Sequence, residues 1–569
     1  MLKYFSGFFI FLLVSCSSQH QRTSFEPTFF SQPEEALSSA QLLEIEKLEA
    51  SSQLPPLGKK RLIDLYQVEL NHLSPKSDRA SWVRDRMQTL NAEIEPLQLQ
   101  VTREATVPPE TEKNLDKKTL LIYTPLKKQV QAAYQAWNQD DNEKALVLVE
   151  EIIRSELYSQ EAEPSERNRI LNLYFRVAFD LRRFETCQKA LELLKANMAC
   201  SPELSQTAEV FAIYQFVEKT PALAKQTLLE ACETDSSVSA KLRRAYWLFR
   251  MSEPQSDEQA KYLRELEKFP VPGYYHYLAA LHSKKPFQLP AIQPRSKTTL
   301  VMPAQVHEWV QQAEQRIQLG LRRDASNLLL RAKKELLKQP EEQLAGLLYV
   351  SQLFQAAGNH LEAMKIVNGL LQGEETEAPG QGITESALVS EFMRLYHQPF
   401  QPFVEAVAKN WGVDPDFVYS IMRQESAFNP GAVSVAGARG LMQLMPALSK
   451  FLMQQWKTPV PSSKGYLLRG LENIRLATYH LHQLNQIAPH PALVAAAYNA
   501  GINRVSSWWV RSGQYPLDVF VEFIPVNETR NYVKLVLRNL IYYKGQKNEG
   551  RVSSDLFALS LPPPPFTAR

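Results

Sequence analysis

Neither sign of charge is in excess in this chain. Sixty-four Lys and Arg against 61 Asp and Glu leave a formal net charge of +3 over 569 residues, so there is no electrostatic case for a nucleic-acid partner. Cysteine is nearly absent, with four residues at 16, 187, 200 and 232. They form no CxxC pair and no Cys/His ligand spacing, which argues against a zinc site. Cys187, Cys200 and Cys232 read as buried structural thiols, with at most one disulfide among them. The ten histidines are scattered. His480 and His482, two apart on an expected helix, point to different faces and make a poor ligand pair. No metal and no cofactor is therefore expected. Glycine is scarce, 20 against 36 prolines, which suits stiff connectors better than floppy ones. Alternating strand patterns are few, so most of the chain reads as helix.

What is there is ordinary globular material, 44% hydrophobic and 22% charged. The length exceeds a single core and implies several domains. Lys3 precedes an apolar run from Tyr4 to Val14 that is shorter than the roughly 20 residues a spanning helix needs. It has the length and flanks of a secretion signal. The run ends in Leu13-Val14-Ser15-Cys16, which resembles the lipobox of bacterial lipoproteins, where the cysteine is acylated and becomes the mature N-terminus. Ser17 follows it rather than aspartate. The resemblance implies a lipid anchor at Cys16 on the periplasmic face of the outer membrane; the alternative is an ordinary signal peptide with an incidental cysteine. Residues 1–16 are thus expected to be a leader and 17–34 a polar tether.

From 35 to 383 the pattern predicts an α-helical superhelix. Ala133-Tyr134-Gln135-Ala136-Trp137 leads through a polar turn into Glu143-Lys144-Ala145-Leu146. Phe175 to Ala178 leads through Arg183-Phe184-Glu185 into Lys189-Ala190-Leu191. Ala313 to Leu319, Gly320 and Asp324-Ala325 repeat the idea, as do Leu353 to Ala357, Gly358 and Leu361 to Ala363. Alanines recur where neighbouring helices must approach. The hairpins resemble degenerate tetratricopeptide units, with an irregular period. Such a surface serves as scaffold, or holds a long substrate or cell-wall protein partners. Connectors are expected at 103–118, at the proline-bearing 284–303 and at 372–381. Residues 551–569 form a Pro-rich tail containing Pro562-Pro563-Pro564-Pro565.

Chemistry concentrates in residues 384–550. Asp414 can cap a helix that opens with Pro415. Phe417, Val418, Ile421 and Met422 form its apolar face, and Glu425, four after Ile421, extends that face. Asn429-Pro430-Gly431 stops it. A carboxyl desolvated in this way has a raised pKa and stays protonated near neutrality, as a general acid requires. The bland alternative is a glutamate that escapes to solvent at the helix end.

Arg423-Gln424-Glu425-Ser426-Ala427-Phe428-Asn429-Pro430 is followed by Ser434-Val435-Ala436-Gly437-Ala438-Arg439-Gly440-Leu441-Met442-Gln443-Leu444-Met445-Pro446. Then come Ala496-Ala497-Tyr498-Asn499-Ala500-Gly501, Phe520 to Pro525, and Glu528-Thr529-Arg530-Asn531-Tyr532-Val533. These ordered blocks resemble the soluble-type lytic transglycosylases, whose catalytic domain has a lysozyme-like fold. The weaker Tyr274 to Ala280 block is similar to the helical region of that family's large members. The resemblance implies an all-α chain, a helical superhelix followed by a lysozyme-like domain, that cleaves peptidoglycan glycan strands. Glu425 would be the catalytic acid/base, with Ser434, Gln443, Met445, Tyr498, Asn499 and Glu528 lining the cleft. Val435-Ala436 stands where the family usually has Pro-Val, and Ala477 where glycine is common. No Asp or Glu occurs from Ser426 to Leu471, whereas most glycosidases use two carboxylates. That gap implies a substrate-supplied nucleophile and a 1,6-anhydro product. The alternatives are a muramidase that uses water and a non-catalytic envelope scaffold that grips glycan. The segment from about 385 to 550 is expected to fold alone.

Overall fold

The computed structural model describes residues 22–25, 66, 84 and 87, then 125–564 with breaks at 140, 199, 219, 232–236, 296–299, 340–342, 373–384, 458–459 and 462–463. The leader, Cys16 and the connector at 103–118 lie outside the described residues. Contacts group the chain into two compact units, Met1–Pro33 with Pro294–Leu388, and Glu34–Gln293 with Val389–Arg569. The stretch read as 35–383 therefore contributes to both.

Strand β1 (Arg22–Phe25) lies inside the expected tether. After it come α1 (Pro125–Asn138), α2 (Asn142–Arg154), the short α3 (Glu156–Glu161), α4 (Pro164–Asp180), α5 (Phe184–Asn197), α6 (Pro202–Val217) and α7 (Pro221–Glu230). α8 (Val238–Met251), α9 (Asp257–Glu267), α10 (Tyr274–His282) and strand β2 (Phe287–Gln288) follow. Sequence-neighbouring helices pair as hairpins, α1 with α2, α4 with α5 and α6 with α7. Alanines sit at the crossings: Ala133, Ala145, Ala178 and Ala190 have no exposed surface. A methyl group there lets helix axes approach where a larger side chain would hold them apart. Polar caps start these helices, as where Ser201 accepts from the Leu204 amide at 3.1 Å and Ser256 from that of Gln259 at 3.0 Å.

The other unit follows the same logic. Strand β3 (Leu300–Pro303) pairs antiparallel with β1, Arg22 opposite Pro303 and Phe25 opposite Leu300. Part of the expected tether is therefore a strand. Helices α11 (Ala304–Gln318) and α12 (Arg322–Leu336) form one hairpin, α13 (Leu344–Ala356) and α14 (His360–Gln372) another. Ala313, Ala325 and Ala363 are fully buried in them. Gly320 (φ 73°) and Gly358 (φ 75°) turn the chain through the left-handed region that favours glycine.

The rest of the described chain is again helical. It comprises α15 (Glu385–Arg394), α16 (Gln401–Trp411), α17 (Pro415–Ser426), α18 (Pro446–Gln455), a 3-10 turn (Lys464–Leu468) and α19 (Gly470–Ile487). α20 (Pro491–Ala500), α21 (Ile502–Ser512), α22 (Leu517–Phe523) and the long α23 (Asn527–Lys547) complete it. α23 is the spine. It packs on α17, α20, α22 and α10, and Tyr532, Val533, Val536, Leu537, Leu540 and Ile541 are buried along it. Lys544 near its end binds Asp414 at 2.8 Å and Asp416 at 3.0 Å, at the start of α17.

The Pro-rich tail has a seat. Strand β4 (Arg551–Val552) pairs with β2. Beyond it, Leu559 O accepts from the Leu517 amide at 2.7 Å and Pro562 O from the Trp509 indole at 2.9 Å. Phe557 is buried against Tyr277, ring centroids 4.9 Å apart.

Two expectations are corrected. Cys200 is disulfide-bonded, so the three cysteines are not all free thiols. Cys187 is a free, buried thiol whose pKa burial pushes up to about 12. Segment 385–550 is also not self-contained: its acidic residues Asp518 and Glu522 are buried against partners on α8 and α10. Among the described residues no helix is long and apolar enough to cross a membrane.

Candidate active site

Helix α17 positions the carboxyl. Asp414 accepts from the Asp416 amide at 3.0 Å, and Pro415 occupies the first turn. Phe417, Val418, Ile421 and Met422 are buried. The helix ends at Ser426, one turn earlier than Asn429-Pro430 required, because Ala427 (φ 50°) and Phe428 (φ 64°) both enter the left-handed region. Glu425 sits in the last turn, partly buried, and its Oε1 accepts a 2.6 Å hydrogen bond from the Tyr532 hydroxyl of α23. Desolvation raises its pKa to about 7. The Tyr532 hydrogen bond works against that rise, and the negative charge of Glu528 adds to it.

The loop 432–445 forms one side. Bridges join Val433 to Arg439 and Arg439 to Leu444. Ser434 closes a turn: its Oγ accepts from the Ala438 amide at 3.0 Å, and its amide donates to Ala438 O at 2.9 Å. Gln443 (φ 48°) donates from Nε2 to Ala432 O at 3.1 Å and Gly440 O at 2.9 Å. Met445, 42% exposed, precedes α18. Buried Asn473 of α19 organises the loop from beneath. It accepts from the Met442 amide at 2.7 Å and donates to Arg439 O and Leu467 O, both at 2.9 Å. Ser426 Oγ ties the end of α17 to Leu441 O at 2.7 Å.

On α20, Tyr498 donates to Met442 O at 2.7 Å. Burial first, and then the charge of Glu425, holds its phenol well above the ordinary range, so it stays neutral. Asn499 Oδ1 accepts from Thr529 Oγ1 at 2.6 Å, joining α20 to the first turn of α23, where Glu528 is exposed. Ser434, Gln443 and Tyr498 thus each bond to the backbone of the loop, while Asn499 bonds Thr529, the neighbour of Glu528, at the α20–α23 seam. Sequence reasoning had given Tyr532 and Asn473 no role. Tyr532 was legible as an aromatic hydroxyl on the buried face that carries Val533, Val536 and Leu540. Asn473 was legible as an amide on the apolar face of α19.

Two further acids that follow the loop, Glu472 and Glu522, are engaged elsewhere. Glu472 binds Arg475 at 2.9 Å, and Glu522 is buried in an ion pair with Lys534 at 2.8 Å. Beside Tyr498 opens a cavity of about 690 Å³, lined by Trp137, Asp180, His480, Arg504, Trp508 and Arg511 among others. Glu425 does not line it. Among the described residues no group of three or more His, Cys, Asp or Glu is arranged to hold a metal.

A partly buried acid at a helix end thus faces a glycine-bearing loop and two tyrosines. Residues 402–519 match the family described as "Transglycosylase SLT domain". The chain is 40% identical over 134 residues to the soluble lytic murein transglycosylase of Escherichia coli K12, covering 23% of this chain and 21% of that protein. It is 39% identical over 140 residues to the Salmonella typhimurium protein of the same name, covering 24% and 22%. The matched segment thus spans about a fifth of the length of these relatives. The lytic transglycosylase Slt from Pseudomonas aeruginosa, solved as an inactive mutant, shares the fold, with a TM-score of 0.55 at 20% identity over 91% of this chain and 81% of that one.

Proposed function

We propose that this chain is a lytic transglycosylase that cleaves the MurNAc–GlcNAc β-1,4 bond of peptidoglycan without water. The observation that carries the reading is Glu425, a single carboxyl with its pKa raised to about 7 and no second acid in the following loop. Tyr532 donates to Oε1, so the proton of the neutral acid resides on Oε2. That proton goes to the glycosidic oxygen as the C1–O bond breaks, while the MurNAc N-acetyl group stabilises the cationic C1. The ionised Glu425 then takes the C6 hydroxyl proton, and O6 closes on C1 to give a 1,6-anhydro ring. A nucleophile already tethered to the reacting carbon outruns bulk water, with effective molarities of roughly 10⁵–10⁸ M. Gln443, Ser434 and Tyr498 shape the loop wall; Met445, Asn499 and Glu528 contact the sugars beyond it.

In this reading residues 1–16 are a leader, Cys16 carries the lipid, and the protein works at the periplasmic face of the outer membrane. The disulfide at Cys200 is in keeping with an oxidising compartment. The helical region guides glycan strands or carries cell-wall protein partners. Purified protein acting on sacculi should release muropeptides that end in 1,6-anhydro-MurNAc, lighter than their hydrolysed equivalents by one water. Products with a reducing MurNAc, labelled by solvent oxygen, would make it a muramidase instead. For the anchor, Cys16→Ser should move the protein from the membrane pellet to the soluble fraction; a wild type already soluble refutes it.

A further inference from the structure

α23 is gripped by a buried ionic cluster that catalysis does not use. Tyr275, on α10, donates its hydroxyl to Glu522 Oε1 at 2.6 Å. Lys534, on α23, donates to Glu522 Oε2 at 2.9 Å, and its ammonium lies 5.3 Å from the Tyr275 ring centroid. Arg530, also on α23, donates to the Glu522 carbonyl at 3.1 Å. All four residues are less than 10% exposed. Arg243 of α8, paired with Glu209 of α6 at 2.5 Å, adds a further cation to the field around Glu522.

Arg530 and Lys534 are four apart and so share one side of α23. Tyr532 lies between them and projects from a different side, toward α17, where it holds Glu425 at 2.6 Å. A helix held at 530 and 534 is fixed in rotation about its axis, and the direction of Tyr532 is fixed with it. We propose that Tyr275 is a positioning residue for Glu425: through Glu522 it sets the rotation of α23 and hence the Tyr532–Glu425 hydrogen bond. This rests on Glu425 being the acid of the proposed reaction. The catalytic carboxyl is then oriented by a residue more than a hundred positions before the SLT segment. The groups facing Glu425 are Tyr532 and Glu528 from α23 and Tyr498 from α20. Those facing Glu522 are Tyr275, Lys534, Arg530, Arg243 and, beyond Arg243, Glu209.

Tyr275→Phe keeps the ring packing and removes only the hydroxyl. In the full chain it should lower kcat about three- to tenfold, the range set by one net hydrogen bond, with KM changed less than about twofold. Because the Tyr532 bond favours the charged carboxylate, weakening it should shift the Glu425 titration upward, as Tyr532→Phe does directly. In a Tyr532→Phe background, Tyr275→Phe should add nothing further. Glu522→Gln, a second variant of unchanged shape, should behave in the same direction. Tyr349→Phe, which removes a 2.7 Å bond to Glu314 elsewhere, should lose some thermal stability and leave the titration unmoved. An unmoved Glu425 titration in Tyr275→Phe, or a loss undiminished in the Tyr532→Phe background, overturns the proposal. ¹³C-carboxyl NMR follows that titration without substrate, so the coupling stands or falls even if the wild type cleaves no glycan.

Discussion

Glu425 carries two demands that oppose each other. In the proposed role it must be neutral near pH 7, and burial favours that by disfavouring the ionised carboxylate. Its pKa is 4.5 in the unfolded chain and about 7 in the folded one. Folding therefore takes up a proton between those values, and the stability that the neutral carboxyl confers is lost as pH rises from about 4.5 to 7. Glu425→Gln should lose at least about two orders of magnitude in glycan cleavage. The same variant should melt above the wild type at pH 8 and beside it at pH 4, read by calorimetry at both values. A wild type equally stable at pH 8 would show that Glu425 is not desolvated. The alkaline limb of wild-type kcat/KM should fall near pH 7, where the free acid ionises.

At the scale of elements, the loop 432–445 is held by hydrogen bonds to its backbone together with the buried side chains of Leu441, Met442 and Leu444. Gly440 is its tightest point. Its φ is +81°, and an added Cβ would lie 2.1 Å from Leu467 O and 2.4 Å from Asn473 Nδ2. Gly440→Ala must leave the left-handed region and push away the amide that seats Met442, a strain of about 1–3 kcal/mol before any clash is counted. The variant should melt lower and lose activity more than stability alone explains, because the Met442 carbonyl also receives Tyr498. Wild-type activity and melting in Gly440→Ala would mean that the loop moves freely. The block Ser434 to Met445 was legible as a unit, since its glycines and small residues demand a turn. Its partner Asn473 was not, because an amide on an apolar helix face gives no hint of which carbonyls it will meet.

Over the whole molecule, the residues before 293 complete the unit that holds Glu425. Asp518 is fully buried and accepts from Tyr246 Oη at 2.6 Å and Arg250 Nε at 2.9 Å, with His282 Nε2 3.3 Å away. Burial would raise its pKa, yet His282, Arg250 and Tyr246 together outweigh that and hold it well below the carboxylate range. Burial opposes Glu522 likewise, and Lys534, Arg243 and Arg530 bring it down to about 2. These depressed groups add stability that is present above their unfolded values and is lost as pH falls toward 2. A fragment of residues 385–550 keeps both carboxylates but lacks Tyr246, Arg250, His282, Tyr275 and the tail that pairs with Leu517. It should melt far below the full chain at pH 7, and adding residues 125–293 as a separate chain should recover part of the loss. A fragment as stable as the full chain would make the ionic seams incidental.

Local signals were sufficient for the helices, the alanine crossings, the Asp414–Pro415 start of α17 and the position of Glu425 on its buried face, because each depends on residues within a few turns of one another. The fold class was legible for the same reason, and the segment 384–550 through the resemblance of its ordered blocks. The pairing of residues 22–25 with 300–303, the seat of the polyproline tail and the disulfide at Cys200 were decided only in three dimensions. So was the state of Glu425 itself. Spacing can set a carboxyl on an apolar face, but its pKa depends on how far the folded chain desolvates it and, against that, on Tyr532, 107 residues away. In the arrangement proposed above, which side of α23 meets that carboxyl follows from Glu522 and Lys534, charges buried against each other, and from the Tyr275 hydroxyl that donates to the pair.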